Sequence, residues 1–368
     1  MLSKSLRSIL KGVSRSFYLS VRVLPAAVQE QVAVGYLLAR AADTLADTPI
    51  LPAAARRQLL SLLRRAAAGE DSALAQLLSA LAAAQTEKPL SSGSEAMLLQ
   101  RLADCFALLQ QQQPGDRLLL RRVLDQLTCG MERDLERFPC LDGAVPASQV
   151  VGLSSRDDLL EYAYFAAGCV GEFWTDLMAA HVPALAHLAE PALRRRGVAL
   201  GQALQLVNVI RDVRADLQIG RCYWSADLLQ PHGLSACRLA ELAGMPHQPA
   251  SASELSALNT VTRELCDFTL GLCQEAWPYV QAIPKTEIRL RLACIWPLLL
   301  AIDTLQALRT AGSPLAVSGP PIKIARRQVY GLLWESTGAA MRDRFSDGHR
   351  IDHVFLQHAN RMAGKWAG

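Results

Sequence analysis

Residues 193–217 read LRRRGVALGQALQLVNVIRDVRADL, and this stretch decides the class of fold. Its apolar residues recur at spacings of three and four, which is the period of an α-helix and not of a β-strand. They occupy more than one face of that helix, and such a helix belongs in the interior of a bundle. Charged side chains interrupt the apolar pattern near the end, at Arg211, Asp212 and Asp216.

The same period appears on either side of this stretch, in AVGYLLARAADTLAD at 33–47 and in EIRLRLACIWPLLLAIDTLQALR at 287–309. Alternating runs rich in Val, Ile and Thr are nearly absent, so we expect an all-α protein. Proline and glycine divide the chain into about ten predicted helices. Because the loops at 244–253 and 310–321 are too short to separate independent domains, we interpret residues 1–368 as a single domain.

Composition narrows the class of function. Hydrophobic residues make up 51% of the chain and the net charge is only +4, which excludes disorder and disfavours nucleic-acid binding. Nine cysteines without paired spacing indicate reduced thiols, and the N-terminus lacks the pattern of a signal peptide. The longest apolar stretch, 293–302, is half of a bilayer span. We therefore expect a cytoplasmic protein that can associate peripherally with a membrane surface.

Two acidic motifs carry the chemistry. In the first, Asp43 and Asp47 follow Arg40 and lie four residues apart, so both carboxylates share one helix face. Asp212 and Asp216 repeat this spacing after Arg211. Either pair alone could be a solvated helix end with a surface ion pair.

Two such pairs on apolar helices favour a hard divalent cation. We expect the pairs on facing helices of the bundle, where carboxylates need partners. Mg²⁺ is usually held by one or two carboxylates together with a substrate phosphate. The neighbouring arginines then indicate a diphosphate substrate, and the absence of a glycine-rich phosphate loop argues against a nucleotide hydrolase.

Four segments, taken in order, resemble the squalene/phytoene synthase family. They are Ser14-Arg15-Ser16-Phe17, the stretch from Tyr36 to Asp47, the stretch from Tyr162 to Gly171, and the stretch from Gln205 to Asp212. The resemblance runs from about Ser14 to about Leu333. It implies an isoprenoid synthase fold, a helical bundle around a central apolar cavity, and the head-to-head joining of two farnesyl diphosphates.

The resemblance also implies roles for individual residues. The expected Mg²⁺ ligands are Asp43, Asp47, Asp212 and Asp216. The expected substrate-binding residues are Ser14, Arg15, Phe17, Tyr36, Arg40, Phe165, Gln205 and Asn208. Asp43, Arg211 and Asp212 are expected to act in catalysis with Tyr162, which would supply or relay a proton. Aromatic faces would stabilise an allylic cation without attacking it.

The late basic segment bears on the product. Lys323 and Arg326 resemble part of the squalene branch, as does Arg221 in the turn Arg221-Cys-Tyr-Trp224. With Asn208 they would bind NADPH, which reduces the intermediate to squalene, and residues 322–345 would form a cofactor loop and a C-terminal helical segment. The alternative is a dehydrosqualene or phytoene synthase, which performs no reduction.

The sequence departs from the squalene branch at Ala46, Thr48 and Ala215, where that branch often has acids, so the number of metal ions stays open. A non-catalytic scaffold relative is a further alternative, although it would be expected to lose its aspartates. A head-to-tail prenyltransferase would carry a more acidic first motif. We interpret His349, His353 and His358 as part of an exposed C-terminal helix. A monomer or weak homodimer is expected.

Overall fold

In a computed structural model of the protein, the described residues are 3–14, 21–48, 50–87, 92–138, 145–244, 250–315, 322–345 and 348–364. Almost all of their regular structure is helical, as the sequence predicts. The one sheet among them is a parallel pair of two-residue strands, β1 (Val151–Gly152) and β2 (Arg221–Cys222). The structure divides into two compact units: 1–140 with 172–189, and 141–171 with 190–368. The interpretation as a single domain stays a prediction.

The first unit is built around one apolar helix, α2. Its helices are α1 (Lys4–Ser14), α2 (Ala26–Asp47), α3 (Ala53–Ala68), α4 (Asp71–Glu87), α5 (Gly93–Gln100), α6 (Leu102–Gln111), α7 (Pro114–Arg137) and the larger part of α9 (Cys169–His181). α2 packs against α3, α6 and α7. It buries Val28, Leu37, Leu38, Ala41 and Leu45, which lie on several of its faces. The predicted interior helix is therefore present.

The second unit is built around another apolar helix, α10 (Pro191–Arg211). Its other helices are α8 (Arg156–Ala163), α11 (Val213–Gln218), α12 (Ala226–Leu229), α13 (Ala236–Gly244), α14 (Ala252–Ala282), α15 (Ile288–Ala311), α16 (Arg326–Arg344) and α17 (Arg350–Met362). A π-helical segment, Tyr164–Gly168, joins α8 to α9, and short 3₁₀ turns cover Ala147–Gln149, Pro183–Ala189 and Gln230–His232. α10 packs along α14 and against the π-helical segment and α15.

Two expectations about the helices need correction. The described residues contain seventeen α-helices and not the expected ten or so, and two of the additional breaks, at Arg101 and Asp212, lie where the sequence has neither proline nor glycine. The C-terminal helix α17 is not exposed along its whole length. His358 is 5% exposed and its Nδ1 is hydrogen bonded to Asp303 of α15. The polar pairing explains how a histidine is accommodated in this interface.

Six of the eight cysteines in the described part of the chain are buried. Within the same residues, no helix combines the length and the apolar character that crossing a membrane requires.

Candidate active site

The first acidic motif closes α2. Asp47 is the last residue of the helix, and Thr48 after it is extended, with φ −63° and ψ 121°. The sequence explains this end, because Pro49 disfavours a helical conformation in the residue before it. Asp43 lies one turn earlier and is half-buried, whereas Asp47 is exposed. The two carboxylates therefore share a helix face at the point where an apolar helix reaches solvent.

Arg40 connects this motif to a second helix. Its Nη1 donates to Oδ2 of Asp43 and its Nη2 donates to Oε1 of Glu95 in α5. Its Nε is buried and has no hydrogen-bond partner within the described structure. Burial lowers the pKa of Arg40, but the charges of Asp43 and Glu95 outweigh it and raise the pKa overall. Sequence reasoning missed Glu95, which lies 55 residues from Arg40 and in none of the motifs.

The surroundings of Asp43 disfavour a negative charge on its carboxylate. Burial, followed by the charge of Asp47, raises the pKa of Asp43 to about 6 from a usual value of 3.8, against the opposing effect of Arg40. A nearby divalent cation would offset both causes, since its charge would compensate for the lost hydration and would reduce the repulsion between the two carboxylates. The donor set fits Mg²⁺, which prefers oxygen ligands.

The second acidic motif lies at a helix break. α10 ends at Arg211, Asp212 has φ −98° and ψ 7°, and α11 begins at Val213. The sequence pattern predicts one continuous helix here, whereas the structure has two helices that meet at Asp212. The one-turn spacing nevertheless survives, because the Asp216 N–H donates to the Asp212 carbonyl at 3.1 Å.

Arg211 is bound to its neighbour in this conformation. Its Nε donates to Oδ1 of Asp212 at 2.8 Å, and its Nη2 donates to Oδ2 at 2.5 Å. The hydrogen bonding to Asp212 raises the pKa of Arg211. Each acidic motif thus has the same arrangement, in which a guanidinium neutralises the first aspartate of the pair.

Three predicted residues meet beside the second motif. Gln205 Nε2 donates to the Tyr162 hydroxyl oxygen at 2.9 Å, and Asn208 Nδ2 lies 3.5 Å from Gln205 Oε1 as its donor. The Tyr162 ring stacks on Tyr223, with centroids 4.1 Å apart. Sequence reasoning missed Tyr223, although the motif Arg221-Cys-Tyr-Trp224 contained it. The side of α10 that leads to Asp212 therefore carries an ordered polar and aromatic cluster.

Glycines explain why α8 and α10 can bring Tyr162 and Gln205 together. A Cβ on Gly171 would lie 2.1 Å from the Gly197 carbonyl oxygen, and one on Gly201 would lie 2.2 Å from the Ala167 carbonyl oxygen. Only glycine fits at such a backbone approach. The crossing also contains the π-helical segment Tyr164–Gly168, a distortion that is frequent at functional sites.

Other predicted residues of the first unit lie around the end of α1. Ser14 is buried and its hydroxyl donates to the Leu10 carbonyl, so its proton is used inside the helix. The Tyr36 hydroxyl donates to the Val13 carbonyl at 3.1 Å. The predicted substrate residues Arg15 and Phe17 lie outside the described residues.

In the second unit, Phe165 is half-buried and packs edge-on against Tyr164 at 5.3 Å between ring centroids. The proposed cofactor residues are in two places. Arg221 is half-buried and opens β2, whereas Lys323 and Arg326 are exposed at the start of α16.

No group of three or more His, Cys, Asp or Glu side chains lies close enough to hold a metal ion within the described residues. A Mg²⁺ site made of two carboxylates and a substrate phosphate does not require such a group.

Solved structures place the fold. The squalene synthase TcSQS in a ligand complex superposes with a TM-score of 0.67 at 17% identity, covering 99% of both chains. A dehydrosqualene synthase superposes with a TM-score of 0.56 at 20% identity, covering 92% of this chain and 95% of the other. The class of protein is therefore that of the all-α isoprenoid synthase fold.

Sequence comparison identifies the family. The model of the squalene/phytoene synthase family matches residues 10–328, and the chain belongs to this family. A bifunctional lycopene cyclase/phytoene synthase of Blakeslea trispora is 28% identical over 58% of this chain and 31% of its own length. A phytoene synthase of Thermus thermophilus is 39% identical over 23% of this chain and 26% of its own length. The chain thus spans less than a third of each relative.

Proposed function

We propose that the chain is a prenyltransferase that joins two farnesyl diphosphates head to head. The observation that carries the proposal is the arrangement of side chains that the two acidic motifs share. In each motif an Arg–Asp ion pair and a second aspartate one turn later lie at the end of an apolar helix, within the part of the chain that the family model matches. Together these groups suit a diphosphate and its divalent cation.

The four aspartates are proposed to hold Mg²⁺, Asp43 with Asp47 in one unit and Asp212 with Asp216 in the other. When bound, the metal supplies positive charge that stabilises the pyrophosphate as it leaves. The raised pKa of Asp43 supports this role, because burial and the charge of Asp47 disfavour an uncompensated carboxylate there.

The arginines are proposed to neutralise the diphosphate. Arg40 has a buried Nε that lacks a hydrogen-bond acceptor in the described structure, and a diphosphate oxygen would satisfy it. Arg211 is proposed to exchange Asp212 for a diphosphate oxygen when the substrate binds. Arg15, from the family resemblance, would add a third guanidinium. Such preorganised charge is usually the largest contribution to catalysis of this type.

The reaction then proceeds in balanced steps. Heterolysis of one C–O bond releases pyrophosphate and leaves an allylic cation, to which a double bond of the second substrate adds. Loss of a C–H proton closes a cyclopropane ring, and the second diphosphate is retained. Because Tyr162 accepts a hydrogen bond from Gln205, its own proton points elsewhere. We assign it the relay of the proton that ring closure releases: the Tyr162 hydroxyl would accept that proton while its own passes to the pyrophosphate released in the first step.

The product is the finer part of the proposal. Squalene requires a hydride from NADPH, for which Arg221, Lys323, Arg326 and Asn208 are the proposed contacts. The exposure of Lys323 and Arg326 supports them as hydrogen-bond donors to the phosphates of NADPH. The names of the two sequence relatives favour the second candidate, a phytoene or dehydrosqualene synthase that needs no reductant.

One experiment separates these outcomes. The purified chain is incubated with farnesyl or geranylgeranyl diphosphate and Mg²⁺, with and without NADPH, and the hydrocarbons are identified by mass spectrometry. A reduced thirty-carbon product that requires NADPH supports squalene synthase. A product independent of NADPH assigns the second candidate, and no condensation with either substrate contradicts the enzyme and leaves the scaffold alternative.

The reductant contacts are tested by the double variant Lys323→Ala and Arg326→Ala. We expect it to accumulate the cyclopropyl diphosphate while the first condensation continues. Arg361→Ala, which removes an exposed arginine from α17, is the matched control and should give the wild-type product. Wild-type hydrocarbon output from the double variant would remove both residues from the proposed cofactor site.

A further inference from the structure

An exposed apolar face runs along α16. Tyr330, Trp334, Met341 and Phe345 are 68%, 82%, 44% and 79% exposed, respectively. Their spacings of four, seven and four residues place them on one side of the helix, within an arc of about 60°, with Phe345 directly after its last residue. We call these four residues the α16 stripe. Single exposed apolar residues are ordinary, but a contiguous stripe with three aromatic rings indicates an interaction site.

The stripe is separate from the face by which α16 joins the fold. Leu332, Ser336, Ala339, Ala340 and Asp343 are buried in the helix, which packs against α15 and α17. The Asp343 carboxylate accepts the N–H groups of Arg350 and Ile351 and so secures the start of α17. The core therefore does not explain the stripe, since α16 is already anchored by its other side.

The charges around the stripe are mostly positive. Arg326 and Arg327 are exposed before its first residue, and Arg344 is exposed at its far end. Arg342 is also exposed, with its Nε donating to the Gly338 carbonyl. Glu335 is the one exposed acid of α16. The stripe is about 22 Å long and has arginines near both ends.

These features fit a bilayer surface better than a second copy of the chain. Trp and Tyr rings prefer the boundary between headgroups and acyl chains, and arginines beside them pair with lipid phosphates. A helix that carries such a stripe along its length lies flat in the interface. In a symmetric dimer the same face would meet itself, which would bring arginines near arginines with Glu335 as the one exposed acid that α16 offers to pair with them.

We propose that the α16 stripe docks the protein on an anionic lipid bilayer. The inference deepens the proposed function, on which the choice of a lipid partner partly rests, because a hydrocarbon product must leave into an apolar phase. The surface itself is defined by exposure and charge alone. Its test therefore measures vesicle binding, and turnover is measured separately.

The full chain is sedimented with vesicles of phosphatidylcholine alone and with vesicles that contain about three tenths phosphatidylglycerol. We expect the wild type to bind the anionic vesicles more tightly. The triple variant Tyr330→Ser, Trp334→Ser and Phe345→Ser should lose binding to both. The double variant Arg327→Gln and Arg344→Gln should weaken binding to anionic vesicles by about thirtyfold and leave binding to phosphatidylcholine unchanged.

The controls are matched by exposure. Leu118→Ser removes an apolar side chain that is 67% exposed on α7, and Arg263→Gln removes an exposed arginine on α14. Both should bind as the wild type does. Circular dichroism confirms that each variant is folded, as expected for substitutions of exposed side chains. Wild-type binding by the triple variant, or equal loss in Leu118→Ser, would overturn the proposal.

Two further readouts keep the outcomes distinct. If light scattering shows a dimer that the triple variant converts to a monomer, and vesicles do not bind, the stripe is a contact between copies and the proposal fails. Condensation of detergent-dispersed farnesyl diphosphate reports on the proposed function. Vesicle binding without condensation contradicts the enzyme but not the docking surface, and condensation without vesicle binding contradicts only the docking surface.

Discussion

Tyr162 joins three elements through one side chain. Its ring stacks on Tyr223 beside β2, its hydroxyl oxygen accepts a hydrogen bond from Gln205 of α10, and it belongs to α8. The ring therefore has a structural role, and the hydroxyl has the separate chemical role that we propose for it. Replacing the hydroxyl alone distinguishes the two.

Tyr162→Phe is expected to lower kcat for the first condensation by about a hundredfold and to leave KM nearly unchanged, because it removes the proton relay and keeps the stack. The matched control is Tyr223→Phe, which removes the hydroxyl of the other ring and should retain the wild-type kcat. Steady-state kinetics with farnesyl diphosphate measures both. Equal losses in the two variants would show that the effect is not specific to the Tyr162 hydroxyl and would contradict the proposed proton relay.

At this scale the sequence shows the spacing of the acidic residues but not the partners of the side chains around them. Asp43 and Asp47 could be recognised because a spacing of four defines a helix face without any tertiary information. Glu95 could not, because its contact with Arg40 depends on how α5 packs in the first unit. The local pairing of Arg211 with Asp212 was also hidden, since it depends on the helix break between them.

The crossing of α10 with the π-helical segment is the element that positions the cluster. Gly201→Ala would place a methyl group 2.2 Å from the Ala167 carbonyl oxygen, so the two backbones have to separate. We expect a loss of about 1–3 kcal/mol in the free energy of unfolding and a lower kcat, since Tyr162 moves relative to Gln205. Denaturant titration and kinetics measure the two effects.

Gly271→Ala is the control for this prediction. Gly271 is a helical glycine of α14, and a Cβ built on it would meet nothing within 4 Å. The variant should be neutral or more stable by up to about 1 kcal/mol, because alanine has the higher helix propensity. Equal stability of Gly201→Ala and Gly271→Ala would show that the close approach is not required.

The start of α14 carries a pH-dependent cap. Glu254 accepts hydrogen bonds from Arg238 and from the Ser251 N–H, and these bonds lower the pKa of Glu254 to about 2 from 4.5. Stability from a depressed carboxyl pKa is present in full above the unfolded value and disappears as the pH falls towards the folded value. The cap should therefore weaken between about pH 4.5 and 2.

Glu254→Gln is expected to be less stable than the wild type at neutral pH, and the difference should shrink as the pH falls through this window. Urea titrations at several pH values measure it. Glu275→Gln, which changes an exposed acid later in the same helix, is the control and should not reproduce this pH dependence. A stability difference that stays constant down to pH 2 would contradict the assignment.

The limits of helix prediction also lie at this scale. The end of α2 follows from Pro49, but the break at Asp212 has no such marker, because neither proline nor glycine is near. Of the crossing glycines, Gly171 lies in one of the four family segments, whereas Gly201 lies in none of them. Their reason, backbone contact at Gly171 and Gly201, depends on which helix packs opposite and so is visible only in three dimensions.

At the scale of the whole molecule, composition and period predict the all-α class correctly, and the motifs predict the family. The division into two units was not foreseen. Each unit combines segments that are distant in sequence, 1–140 with 172–189 and 141–171 with 190–368. A linker rich in proline or glycine marks a boundary only when a domain is continuous in sequence, so no such signal was available.

Each unit contains one acidic motif. If the motifs bind a diphosphate together with Mg²⁺, as we propose, Mg²⁺ and pyrophosphate together should raise the melting temperature by more than the sum of their separate effects. At about a hundredfold excess over the dissociation constant, binding adds about 2.7 kcal/mol to the free energy of unfolding. Asp43→Asn and Asp212→Asn should each reduce this joint increase, because each removes one of the proposed Mg²⁺ ligands.

Differential scanning calorimetry in EDTA, in Mg²⁺, in pyrophosphate and in both measures the coupling. Asp104→Asn is the matched control, since Asp104 forms an ion pair with Arg101 at the same spacing of three residues that separates Arg40 from Asp43. It should keep the full joint increase. If Asp43→Asn and Asp212→Asn also kept the full joint increase, neither aspartate would be a ligand of a complex of Mg²⁺ with pyrophosphate, and the proposed metal ligands would be wrong.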